Sequence, residues 1–212
     1  MKSTFKKFAS LFLALAMVFS LAVPAFAAEE AGTITVTITL QTWDKTETDS
    51  EPVMIRTPVP VTIEAGQTVK DAVNALAGVE VDGEALLELV TCEDEDAYGC
   101  VQTNGQCACT ANGGECNCTW KKVENVDPET YAPLGTYSSV LNSMNLYDEE
   151  EGRVFYTNNG VSTGTSEHGT YTGTSWEYYV GSTYPESLYM SQYVLNENTS
   201  VTLSFTTSSF SW

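Results

Sequence analysis

Apolar and polar residues alternate with period two near both ends of this 212-residue chain, and that pattern constrains its fold more than any other feature. Towards the C-terminus Trp176, Tyr178 and Val180 alternate with Glu177 and Tyr179. A loop rich in Tyr, Ser and Pro follows at 181–192, then the turn Asn196-Glu197-Asn198, then a second alternation with Val201, Leu203 and Phe205 inward. At the other end, residues 33–40 place Ile34, Val36, Ile38 and Leu40 on one face and mostly threonines on the other. Residues 53–63 continue in kind, with Val59, Val61 and Ile63 inward. Such runs predict strands with one buried face. Pro58 and Pro60 have no N–H to donate to a ladder, so this strand belongs at an edge.

The first residues are set apart. Lys2, Lys6 and Lys7 form a basic start, residues 8–23 an apolar run, and Ala25-Phe26-Ala27 a small-x-small cleavage pattern. This predicts a signal peptide at 1–27, a secreted extracellular product and no membrane span in the mature chain. The 28–212 remainder is expected to form a single domain. It holds six basic residues against 28 acidic ones, a net charge of −22. A chain so acidic repels nucleic acid, whose binding needs clustered Lys and Arg.

Between the end strands, Thr68 is placed to cap a helix, with Asp71 three residues on. Val69, Ala72, Val73 and Leu76 share one face of that helix, and Gly78 is placed to stop it. Two strands followed by a packed helix open a β-grasp. The expected fold class is therefore α+β: a β-grasp-like mixed sheet packed on one main helix, with a cysteine-rich loop insert at 91–120. Residues 85–90 read as a short helix leading into a strand, 153–156 as a strand, and the Gly/Thr/Ser stretch 158–175 as a loop.

Six cysteines lie within 27 residues: Cys92, Cys100, Cys107, Cys109, Cys116 and Cys118. In an exported chain they point to three disulfides, whose pairing the sequence leaves open. The rival reading is a zinc site built from the CAC and CNC pairs, although structural zinc usually uses a wider CxxC spacing. The disulfide reading is favoured, with no metal site assigned.

Catalytic signals are weak. No GxSxG, HExxH or phosphate-loop pattern occurs, and the single histidine, His168, sits in the Gly/Thr stretch without an orienting partner. The acid runs 93–96 and 148–151 do not follow EF-hand spacing and read as solvated loops. The chain reads as a non-enzyme that requires no cofactor. Tyr184 and Tyr189, by contrast, stand in a polar loop where no core calls for them, and rigid amphipathic rings of that kind suit recognition.

Two phrases resemble the transcobalamin-like C-terminal domain family, a β-grasp-type module related to the smaller domain of intrinsic factor and transcobalamin. One is the helix start Glu64-Ala-Gly-Gln-Thr-Val-Lys-Asp-Ala-Val-Asn-Ala-Leu76. The other is the Trp-x-Tyr-x-Val strand, a Tyr before a turn, and a last strand of alternating apolar residues. Residues 137–146 resemble the family's middle strand. The resemblance implies a β-grasp-type fold and cobalamin or related corrinoid binding. By position, the ligand contacts would fall on Tyr137, Ser138 and Ser139 and on the loop residues Tyr184, Leu188 and Tyr189. The helical-barrel domain that completes the ligand cage in the eukaryotic carriers has no counterpart here. A corrinoid or other bulky small molecule is thus the first expected partner. The alternative is an extracellular protein-interaction or adhesion module that meets a cell-surface or protein partner.

Overall fold

The computed structural model describes residues 32–91, 100–101, 116–165 and 168–212, with residues 100 and 101 in backbone only. In chain order it contains β1 (Thr33–Asp44), β2 (Val53–Glu64), one helix α1 (Val69–Ala75) and four two-residue strands. These are β3 (Glu80–Val81), β4 (Glu84–Ala85), β5 (Leu87–Glu88) and β6 (Cys100–Val101). Longer strands follow: β7 (Trp120–Val126), β8 (Pro133–Leu141), β9 (Ser143–Asp148) and β10 (Gly152–Thr157). The last three are β11 (Asn159–Gly164), β12 (Gly169–Val180) and β13 (Thr199–Ser211).

Alternation at the two chain ends becomes one sheet, ordered β11-β12-β13-β1-β2. The terminal strands β1 and β13 run parallel at its centre, with Ile38 opposite Val201 and Leu40 opposite Leu203. The other pairings are antiparallel, including Trp176 opposite Phe205 and Tyr178 opposite Leu203. Every second side chain therefore faces one core. Val36, Ile38, Leu40, Val201 and Leu203 are fully buried there, beside Trp176 and Tyr178. β2, with Pro58 and Pro60, is an edge strand, where an absent N–H breaks no ladder.

The helix begins as its sequence dictates. Thr68 Oγ1 accepts from the Asp71 backbone N–H, and the Asp71 carboxylate accepts from the Thr68 backbone N–H at 2.8 Å. Val69, Ala72, Val73 and Leu76 are fully buried. The helix is nevertheless seven residues long and ends in a 3-10 turn at Leu76–Gly78.

The expected α+β class with a main helix is thus corrected to a mostly β fold of several sheets. Two turns are all that the helical spacing before Gly78 supports, and residues 120–175 carry β-branched and aromatic residues that pair as strands. Two local expectations fall with it. The stretch 85–90, read as a short helix leading into a strand, instead holds the end of β4 and all of β5, since six residues are too few to nucleate a helix against competing pairing. There Leu86 and Leu87 are both fully buried, and Leu87 pairs with Leu146 of β9. The stretch read as a loop at 158–175 folds into the β11–β12 hairpin. Its ladder is supported by cross-strand hydroxyl pairs, Thr163 with Thr170 at 2.8 Å, and on the next strand Thr172 with Ser209 at 2.9 Å.

The cysteine-rich insert is likewise more than a loop at its described end. Cys116, Cys118, Thr119 and Trp120 are buried, and β6 pairs in parallel with Lys121 and Lys122 of β7. Asn142, between β8 and β9, donates its amide to the carbonyls of both Cys116 and Cys118 at 3.0 Å each. The segment 1–27 expected to be a signal peptide, the acid run 93–96 and Cys92, Cys107 and Cys109 lie outside the described residues, as does the Cys100 side chain. Among the described residues no helix is long and apolar enough to cross a membrane.

Candidate functional site

Eighteen residues separate β12 from β13, and backbone hydrogen bonds fix where they lie. Val69 and Lys70, whose N–H groups have no partner inside the helix, donate at 3.0 Å to the carbonyls of Tyr193 and Met190. Gly66 N–H donates to Leu195, and Leu195 N–H to Gln67, both at 2.8 Å. The connection is thereby sewn to the start of α1, and residues 184–192 run along β12 as a wall. The Tyr178 hydroxyl, rising from β12, donates to the Leu188 carbonyl at 2.8 Å. Burial, with the neighbouring Tyr193 and Tyr184 hydroxyls, pushes the Tyr178 phenol up to about 12, so it stays a neutral donor at ordinary pH.

Opposite this wall stands the β7–β8 hairpin, whose tip is organised by the Asp127 carboxylate accepting from the N–H groups of Glu129 and Thr130 at 2.8 and 2.9 Å. Those bonds hold the Asp127 carboxyl below its ordinary range. Between the two walls lies a groove of about 820 Å³. Trp176, Tyr178, Leu141 and Met190 form its buried floor. Its flanks expose apolar surface: Tyr184 is 51% and Leu188 47% exposed on one side, Leu134 53% and Val126 47% on the other. Facing apolar walls left open to water on so acidic a chain are the mark of a contact surface.

The sequence-predicted residues divide. Tyr184, Leu188 and Tyr189 line the groove. Tyr137, Ser138 and Ser139 do not; they sit on β8 behind it. Tyr137 is half exposed beneath the Lys122 ammonium, 4.2 Å from its ring centroid. Ser138 is buried and donates at 2.7 Å to Asn125, itself a groove residue. The Ser139 N–H donates to Ser191 Oγ at 2.8 Å, and its hydroxyl accepts from Lys70 Nζ at 2.9 Å. Ser139 thus ties the loop to β8, while burial holds the Lys70 ammonium below its usual range beside the Trp120 ring. Sequence reasoning missed the hairpin wall. Val126 and Leu134 were visible as apolar residues on either side of a polar turn, but only the pairing of Val126 with Pro133 brings them together.

Several of the groove's polar groups are engaged within the protein. Asn158 donates to Leu141 O and accepts from Trp176 N–H, both at 3.0 Å, and Asn125 bonds both Thr136 and Ser138. Gln192 Oε1 accepts from Tyr189 N–H at 3.1 Å. His168 is exposed at the β11–β12 tip, outside the groove lining. Asp148, in the second acid run, serves its own turn by accepting from the N–H groups of Glu150 and Glu151. In comparisons with known proteins no family model, no curated protein and no solved structure matches this chain, so the transcobalamin-like resemblance rests on the sequence phrases alone.

Proposed function

We propose that this chain is a secreted, non-catalytic binding module whose groove takes a bulky, partly apolar small molecule, a corrinoid or one of similar build. The observation that carries the reading is the pair of facing apolar walls, Tyr184 and Leu188 against Val126 and Leu134, over an aromatic floor. The volume of about 820 Å³ is that of a ligand pocket. The internal hydrogen bonds of Asn158 and the Tyr178 hydroxyl, two of the polar groups nearest the floor, favour recognition by shape over proton transfer.

Titration of the purified protein with cyanocobalamin and aquocobalamin, followed by calorimetry and visible absorbance, tests it. Saturable binding is expected, weakened roughly tenfold or more by the Tyr184→Ala, Leu188→Ala double variant, since each truncation removes about 1 kcal/mol or more of contact. Both side chains are half exposed, so the variant should melt with the parent. Absence of heat from folded protein at high micromolar corrinoid rejects the corrinoid reading.

A further inference from the structure

The sheet face turned away from the core carries a second surface, independent of the groove. At its far end Tyr171, Phe210 and Trp212 stand in a row. The ring centroids of Tyr171 and Phe210 lie 5.3 Å apart at 30°, and those of Phe210 and Trp212 5.9 Å apart at 48°. Glycines make room for the outer two rings. A β-carbon at Gly160 would collide with the Tyr171 ring, and one at Gly169 with the Trp212 indole. These rings therefore lie down on bare backbone, with one side against the sheet and the other turned outward. Trp212 is pinned further, its indole N–H donating to Thr165 O at 3.1 Å and its backbone exchanging two 3.0 Å bonds with Gly169. Phe210 remains 56% exposed and Trp212 44%.

Charge decides what suits such a surface. No Asp, Glu, Lys, Arg or His occurs in β11, in β13 or in β12 before Glu177, although the chain as a whole carries a formal charge of −19. A cationic partner would find no counter-charge on these strands, and an anionic one would gain nothing there. Neutral rings backed by threonine and serine hydroxyls match a ligand that is itself neutral, with flat C–H faces and a hydroxyl periphery. We propose that this face is a stacking platform for a neutral oligosaccharide, with Tyr171, Phe210 and Trp212 each taking a sugar ring or its edge.

Calorimetric titration of the intact protein with cellohexaose, chitohexaose and mannohexaose tests the platform. At least one should bind saturably, weakened roughly two- to tenfold by Phe210→Ala and again by Trp212→Ala. Trp212→Phe, which keeps a ring but loses the indole hydrogen bond, should retain most of the binding, separating stacking from support of the hairpin. Tyr184→Ala, in the groove, should leave it unchanged. Three results would each overturn the proposal: no binding of any of the three sugars at millimolar concentration, binding that survives loss of both rings, or binding abolished by Tyr184→Ala.

Discussion

Replacing Asn142 by alanine removes one amide group and strands two carbonyls. The residue is 1% exposed, and its Nδ2 is the donor to both Cys116 O and Cys118 O, so water has little access to take its place. A buried acceptor left unpaired costs roughly 1–3 kcal/mol. Two acceptors that share one donor should together cost about 2–4 kcal/mol, a large part of the roughly 5–15 kcal/mol that holds an ordinary domain together. For a chain of this size that is a fall in melting temperature of roughly 5–15 °C. Asn142→Asp should be worse than alanine at neutral pH, because a carboxylate would face two carbonyl oxygens. Its pKa would be raised in the folded state, so the extra penalty should shrink as pH falls and the carboxyl takes up a proton. Thermal unfolding followed by near-ultraviolet circular dichroism, in one fixed redox buffer, measures all three proteins. An alanine variant that melts within about 1 °C of the parent, or an aspartate variant milder than alanine at neutral pH, refutes the reasoning.

Other perturbations read out the remaining joints. Thr68→Ala removes the helix cap and should cost about 1 kcal/mol in a denaturant titration, with Thr68→Ser recovering most of it. The Tyr178 phenol, raised from 10.0 to about 12, contributes stability that is complete below pH ~10 and is lost as pH climbs towards 12. Tyr156 and Tyr179 are also held above the ordinary phenol range, by burial first, so phenolate absorbance should show a late group of tyrosines, and Tyr178→Phe should remove one phenol from its most alkaline end.

What the sequence discloses depends on whether a strand has a wet side. β1, β2, β12 beyond Ser175 and β13 were legible because their inward residues are Val, Ile, Leu, Trp and Tyr and their outward ones mostly polar. The β11–β12 hairpin was not, because it projects beyond the core. Its ladder is decorated with Thr, Ser and Gly on one face and glycine-seated rings on the other, so no apolar alternation exists to find. The helix was legible down to its capping box yet overweighted, since two turns of good spacing do not state how much of the remaining chain is strand. For the site the division is similar. Tyr184 and Tyr189 stood out as aromatic residues without a core to join, and Leu188 came with the family resemblance. Val126 and Leu134 acquire meaning only through a cross-strand register that no local pattern encodes. Tyr137, Ser138 and Ser139 were placed by resemblance, and the structure puts two of them behind the groove as supports for Asn125 and the Ser191 end of the loop.

An eighteen-residue connection between two central strands is long for a domain of this size, where most connections run to about 4–6 residues. Such a length persists either as unstructured chain or because the loop has work to do. Here backbone donors and acceptors at Gly66, Gln67, Val69 and Lys70 hold it from one side, and the Ser139–Ser191 bond and the Tyr178 hydroxyl hold it from the other. Ordering those residues costs entropy on folding, roughly 1–2 kcal/mol for each backbone fixed, and the loop gives back few buried apolar side chains in return, chiefly Met190 and Leu195. Stability alone would favour a shorter turn. The expense is intelligible if the loop's product is the rigid apolar wall of the groove. A wall fixed before the ligand arrives spares the ordering cost at binding and gives the groove its shape in the free protein.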